Sequence, residues 1–450
     1  MKIFKYLFTA LLLLCTTVAT AHDFEVGGVY YNITDATNKT VEVTYKGDNS
    51  SSYVNEYTGS VVIPESVTYS GTIYSVTSIG YRAFSGCSNL TNVEISNSVI
   101  SIGNYAFSSC STLTGIEIPN SISSIGDFSF FNCSDLVGVE IPNSVIGIGN
   151  NAFSGCSSLT SIEIPNSVTS IGDYGFYACS GLTAIIIGNG VTAIGYEAFE
   201  YCSDLKTIIN LSYLTFSVGS LGNGGIAYYA DKVFNAPDGF IDGDFVWYEN
   251  EDGVYLAGYL GDATELTLPT DYNGKSIIGI GDYAFNNCPG LIGDVVIPNS
   301  VTSIGYKTFE ECANIENLHI GNSIESIGDY AFAGCESIKE IKTGLQRPVC
   351  GSANIFADAV YDSAVLYVPY GTKSLYQEVE PWSLFYDIVE EMDLTGIDEV
   401  KGECGTEGRR PEGLKSKMKT IYDLQGRKLK GENGNLKGVY IINGKKVLVK

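Results

Sequence analysis

Nine cysteines recur in one phrase along this chain of 450 residues. Ile79-Gly80-x-x-Ala83-Phe84-x-x-Cys87 returns at Cys110, Cys133, Cys156, Cys179 and Cys202, each step 23 residues long, and resumes at Cys288, Cys312 and Cys335. Periodic thiols can ligate metal, cross-link, or fill a core as small apolar groups. Metal ligation draws on close pairs such as Cys-x-x-Cys, and the chain has none. If the period is one coil of a stack, neighbouring coils lie about 4.8 Å apart, which is within reach of a disulfide. Equivalent side chains then point the same way rather than at each other, so the bridge geometry is poor. The thiols are therefore expected to stay free and buried beside the Phe column. Cys350 and Cys404 stand outside the phrase and are the alternative pair. No metal and no cofactor is implied.

Two further columns carry chemistry. Glu94, Glu117, Glu140 and Glu163 occupy the same place in four consecutive repeats, each between two apolar residues. Alternation turns them to solvent, stacked about 5 Å apart, where like charges repel by about 0.8 kcal/mol per pair in water. Thr would fit a strand better and avoid that repulsion. Two readings stand: inheritance of Glu by repeat duplication, or a surface for a basic partner or cations. Ile186 and Ile209 then take over the column. The third column is aromatic: Tyr105, Phe128 and Tyr174, then Tyr283 and Tyr330. Such rings either anchor a protein or a sugar, or pack on each other along a rim.

Enzyme motifs are thin. The chain has 2 His, with no G-x-S-x-G and no H-E-x-x-H. Gly222-Asn223-Gly224-Gly225-Ile226-Ala227 matches G-x-G-x-x-A outside any βαβ unit. Asp238, Asp242 and Asp244 lack the spacing of a calcium loop. Paired carboxylates of a glycoside hydrolase are a pattern that sequence does not mark. No catalytic residue is assigned.

The elements that position these columns follow from the period. A fixed repeat in this range is the mark of a solenoid, whose single coil cannot bury its own apolar residues. Leu159-Thr160-Ser161-Ile162-Glu163-Ile164-Pro165 alternates as a short strand, and the Pro-Asn pair turns the chain. Asn166-Ser167-Val168-Thr169-Ser170-Ile171-Gly172 is a second extended piece. Ala-Phe-x-x-Cys reads as a tight helical turn with Phe and Cys inward. The expected fold is a β-rich repeat solenoid in two blocks, with β-hairpin caps and a small C-terminal β unit. Residues 1–21 read as a signal peptide, 22–78 as an N-terminal β cap and 79–211 as the first repeat block. A β-hairpin insertion at 212–265 precedes the second block at 266–362. Residues 363–394 read as a C-terminal cap in which Ala364 to Pro369 is a last strand and Trp382 and Phe385 plug the open end. A linker at 395–419 and a basic β unit at 420–450 complete the chain.

Lys2 and Lys5, the apolar run Leu7 to Cys15 and the small residues Ala19-Thr20-Ala21 form the leader. Leu14 is bulky where a lipidation site before Cys15 takes a small residue. No other stretch is long and apolar enough to cross a bilayer, so the mature chain is expected at the outer cell surface or secreted. Its charge is lopsided: residues 22–400 carry a net of −35 and residues 401–450 a net of +8. The body would repel nucleic acid and anionic membranes, and suits basic proteins, cations or neutral glycans.

The coils, with nine copies of Ile-Gly-x-x-x-Phe-x-x-Cys joined to Leu-x-x-Ile-x-Ile-Pro, resemble the BspA-like class of leucine-rich repeats over about 79–211 and 266–370. That class is found on bacteria of the Bacteroidales and other host-associated organisms. The resemblance implies a surface or secreted protein that binds host or bacterial proteins, often as an adhesin, with no catalytic residues. Tyr422-Asp423-Leu424-Gln425-Gly426-Arg427 and Lys437-Gly438-Val439-Tyr440-Ile441 resemble the C-terminal sorting modules of the type IX secretion system. The leading expectation is a protein-binding or adhesion module. A glycan-binding surface protein for nutrient capture is the alternative, and a hydrolase on a β-solenoid comes last.

Overall fold

The computed structural model of the protein describes residues 22–46 and 55–391, and beyond them the backbone of five short strands between 398 and 449. The expected leader, Cys404 and most of the linker lie outside the described residues. The chain forms two compact units. Of the described residues, one holds those up to 263 with 269–288 and 304–310; the other holds 264–268, 289–303 and those from 311 on.

In the first unit each coil of 23 residues has three sides. The first is the alternating strand. Ser161–Ile164, Ala184–Ile187, Thr207–Asn210 and Lys232–Asn235 form a parallel sheet. Gly59–Ile63 with Leu90–Ile95, and Gly115–Glu117 with Gly138–Glu140, pair in parallel in the preceding coils. The second side is a run of two-residue parallel strands from Ser101–Ile102 to Ala193–Ile194. Its open edge is covered by Thr72–Ile79 and then by Thr40–Thr44, Val29–Asp35 and Phe24–Val26. Such a cap removes an unpaired edge that would otherwise template association.

The third side departs from the expected helical turn. Ala106 N–H donates to Gly103, Ser108 to Tyr105 and Cys110 to Phe107, so the chain makes successive three-residue turns. Tyr105 (φ 59°) and Ser109 (φ 61°) are left-handed, as are Phe128 and Asn132, and Tyr174 and Ala178. This alternation aims N–H groups along the stack: Tyr105 donates to Asp127 O at 2.9 Å and Phe107 to Ser129 O at 2.7 Å. The inter-coil bond, unavailable to a helix, holds residues in a backbone region that non-glycine residues rarely adopt.

The core is a row of rings. Phe84, Phe107, Phe130, Phe153, Phe176 and Phe199 stack with centroids 5.0–5.2 Å apart and are fully buried. Beside them the thiols from Cys110 to Cys202 donate to the Phe carbonyl of the coil before, as from Cys110 to Phe84 at 3.1 Å, Cys133 to Phe107 at 3.1 Å and Cys156 to Phe130 at 3.2 Å. The nine cysteines of the phrase are buried thiols outside any disulfide, whereas Cys350 is an exposed thiol.

Burial pushes the Cys133 and Cys335 thiols up to about 12, because the thiolate would lose its hydration in the core. The sign follows from linkage: the stabilisation is complete below the ordinary thiol range near 9 and is lost as the pH climbs through the folded values near 12. A soluble alkylating reagent at about pH 8 is therefore expected to modify Cys350 in the native protein and to reach the nine phrase cysteines only after denaturation. Mass mapping of the labels checks this, and native labelling or bridging of Cys133 or Cys156 would contradict it.

The break at 212–265 contains more than hairpins. Lys232–Asn235 returns as a fourth parallel strand beside Thr207–Asn210. Phe240–Asp242, Phe245–Glu249 and Val254–Tyr259 then run antiparallel. Val246 and Ala257 from this meander pack on Ile209 and Phe234, making a small second core on the outer face of the sheet.

In the second unit, Gly293–Ile297, Ile315–Ile320, Glu340–Thr343, Val365–Pro369 and Asp387–Glu391 form one parallel sheet. The expected last strand is thus present as Val365–Pro369, and Asp387–Glu391 adds another in register beyond it. Phe356, Tyr361, Trp382 and Phe385 meet edge to face and close this end of the core. Trp382 Nε1 donates to Val349 O at 2.8 Å, so its polar edge is satisfied as well. The five short strands from 398 to 449 form a separate sheet, in the order Asp398–Glu399, Lys445–Val449, Gly438–Ile442, Ile421–Tyr422, Lys428–Leu429.

Candidate functional site

The outer face of the first unit's strand sheet gathers the acidic column. Glu117 lies opposite Glu140, and Val62 opposite Glu94, in parallel register. Glu163 lies opposite Ile186, Ile186 opposite Ile209, and Ile209 opposite Phe234. Glu94, Glu117, Glu140 and Glu163 are all exposed. Among the described residues none of the four joins an ion pair. The neighbouring outward column is small: Gly115 opposite Gly138, and Ser161 opposite Ala184. Small side chains beside a carboxylate row leave a shallow trough of about 530 Å³, lined by Gly138, Glu140, Asn143, Ser161 and Glu163 among others.

The second unit lacks this stripe. Its equivalent column reads Val296, His319, Lys342, Tyr367 and Val389. Lys342 there approaches Glu340 at 4.0 Å and Glu391 at 3.8 Å. The acidic face is thus a property of the first unit, not of the repeat as such.

The aromatic column lies on the turn side, at the left-handed positions. Tyr105 and Phe128 stack at 4.6 Å, and Arg82 sits over Tyr105 at 4.9 Å. The column is then broken by Asn151. Tyr174 begins a second cluster, meeting Tyr177 at 5.5 Å and Tyr196 at 5.7 Å, while Tyr177 meets Tyr201 at 5.2 Å. Tyr105, Phe128 and Tyr174 are half-buried, whereas Tyr196 and Tyr201 are exposed. Hydrogen bonding to Glu197 pushes the Tyr196 hydroxyl up to about 12. The acidic and aromatic columns therefore occupy different sides of the coil and do not form one site.

Two features went unread in the sequence. One is a polar ladder: Asn104 Oδ1 accepts the Asp127 N–H at 2.9 Å, Asp127 Oδ1 that of Asn150 at 2.7 Å, and Asn150 Oδ1 that of Asp173 at 2.8 Å. Asn or Asp directly after Ile-Gly, every 23 residues, was its signal. The other is the covering of Ile209 and Phe234 by the meander, signalled by the change from Glu to Ile in an outward column. Asp238, weighed for calcium, instead accepts from the Tyr213 hydroxyl and from Asn189 Nδ2. Among the described residues no group of three His, Cys, Asp or Glu converges to hold a metal ion.

Parallel coils around a Phe row, with function left to the outer columns, define a leucine-rich repeat scaffold. The model of the BspA type leucine rich repeat region matches residues 49–146, 123–219 and 262–355, and the chain belongs to that family. Known structures similar to it include a leucine-rich repeat protein from Bacteroides ovatus ATCC 8483, at 27% identity over 77% of this chain and 76% of that one, with a TM-score of 0.39. A leucine rich cell surface protein from Faecalibacterium prausnitzii A2-165 is 24% identical over 82% and 94%, with a TM-score of 0.33. The leucine rich repeat protein of T. pallidum is 28% identical over 46% and 90%, with a TM-score of 0.38. No curated protein matches the chain. No helix among the described residues is long and apolar enough to cross a membrane.

Proposed function

We propose that this protein is exported to the outer cell surface or secreted, and that it works by binding other proteins, as an adhesion module towards host matrix or other cells. The observation that carries the reading is the row of four exposed carboxylates in consecutive coils with no ion-pair partner among the described residues. Like charges in register are destabilising in a sheet, so their retention is explained by a basic partner that neutralises them on binding. The leader-like start supports export, and the basic C-terminal segment supports a sorting role of the type IX kind in a Bacteroidales-type bacterium.

A screen of the protein against matrix proteins and glycans in parallel tests the class of ligand. Glu117→Thr combined with Glu140→Thr then tests the face. The pair is expected to raise stability by up to about 1 kcal/mol and to weaken capture of a basic protein about threefold to tenfold. Added salt weakens wild-type binding, because exposed pairs are screened beyond about 8–10 Å. Affinity unchanged in both variants and at both salt levels would remove the stripe from the binding site. A second reading, glycan capture, is favoured by the Tyr174, Tyr177, Tyr196 and Tyr201 cluster, whose exposed rings suit stacking on sugars. Glycan hits lost on Tyr196→Ala would select it.

A further inference from the structure

The acidic stripe does not run out onto open sheet. Its outward position passes in register from Glu163 to Ile186, Ile209 and Phe234. Exposure falls along the same line: Glu163 is exposed, Ile186 half-buried, Ile209 4% and Phe234 1% exposed. Here the meander stands over the sheet, and the space left is a cleft of about 460 Å³. Ile186, Ile209 and Phe234 line its floor, Tyr259, Leu260 and Gly261 its wall, and Glu163 its mouth. Lys232 also lines it, with Nζ donating to the Asn286 carbonyl. Along one line the face offers four carboxylates and then an apolar recess, with Lys232 beside the recess in the neighbouring column, opposite Thr207.

We propose that this recess anchors one apolar side chain, of leucine or phenylalanine size, from a partner protein whose binding segment is basic. Lys or Arg side chains lie over Glu94 to Glu163, and the apolar residue enters between Ile186 and Leu260. The proposal rests on the protein-binding reading of the stripe and adds its specificity element. Charge fixes the order. A basic side chain in the recess would leave water and meet Lys232, while the same side chain over the stripe meets carboxylates. Length agrees as well. Strands about 4.8 Å apart put Ile186 about 19 Å from Glu94, and an extended segment at about 3.3 Å per residue spans that in about six residues.

The test uses the full chain and three synthetic peptides, titrated calorimetrically: six residues alternating Lys and Ser, the same with Phe added at either end, and an all-Ser peptide with Phe. Phe is expected to tighten binding of the Lys-Ser peptide about tenfold. Leu260→Ala should remove most of that increment and leave the Lys-Ser peptide unchanged; Leu260 is 38% exposed, so the substitution spares the core. Ile186→Ser should do the same from the floor. Glu117→Thr with Glu140→Thr should weaken both charged peptides by the same factor. The recess is overturned if Phe adds nothing while the Lys-Ser peptide still binds in a salt-dependent way, a result that leaves the stripe standing. It is overturned too if the Phe increment survives both Leu260→Ala and Ile186→Ser. If none of the charged peptides binds, the stripe fails and the recess falls with it.

Discussion

Phe130→Ala is expected to lower the unfolding free energy by about 3–5 kcal/mol. Phe130 is fully buried between Phe107 at 5.2 Å and Phe153 at 5.1 Å, with ring planes within 6° of parallel at each contact. Removing the ring loses its own transfer energy and leaves a cavity walled by two rings fixed in place by their neighbours. The backbone cannot collapse to fill it. Phe130 N–H donates to Ala152 O at 2.8 Å, and its carbonyl accepts from the Cys156 thiol at 3.2 Å, so the main chain is tied to the next coil from both ends. A solenoid is held by nearest-neighbour interfaces, and this site weakens two of them at once. Urea unfolding followed by circular dichroism should therefore show both a lower midpoint and a broader transition. The control is Tyr105→Ala, on the half-buried rim, expected to cost about 1 kcal/mol. Equal costs at the two positions would mean that the Phe row is not the main store of stability.

The parts legible in the sequence were those that repeat. Phe and Cys return every 23 residues because each coil offers the same buried places, and burial of one residue type at one place is a local demand. The caps were legible for the opposite reason, since the repeat stops and aromatic residues such as Trp382 and Phe385 gather. The left-handed turns were hidden, because Tyr105, Phe128 and Tyr174 are not residues that local preference sends to positive φ. The bond to the next coil puts them there, and only at the second such position do Gly86 and Gly155 betray it. The recess was hidden because it joins Ile186 to Leu260, a contact made by the meander's return rather than by the period. The replacement of Glu163 by Ile186 in the next coil was its one trace, and it becomes meaningful only once something covers Ile209.

Gly149→Ala is expected to cost more than about 2 kcal/mol, and Gly138→Thr to cost nothing or to stabilise. Both are glycines of the same coil period, so composition does not separate them. A Cβ on Gly149 would lie 2.7 Å from the Asp127 N, from Asp127 Oδ1 and from the Gly126 carbonyl carbon. These atoms cannot yield. Asp127 Oδ1 holds the Asn150 N–H at 2.7 Å, and Gly149 N–H is itself bonded to Ile125 O at 3.0 Å, so relief would open the polar ladder between two coils. Gly138 differs: a Cβ there meets nothing within 4 Å, and its backbone is not left-handed. Glycine in a strand gives up about 0.5–1 kcal/mol relative to residues with a side chain, and such a glycine commonly marks the close approach of a ligand. Gly138 forms part of the trough beside Glu140 and Glu163. Gly138→Thr should then raise the urea midpoint while weakening capture of a basic partner, by filling the floor on which it lies. Gly149→Ala should lower the midpoint, with any loss of capture following the loss of fold. A Gly138→Thr protein with unchanged capture would show that the trough is not where the partner sits.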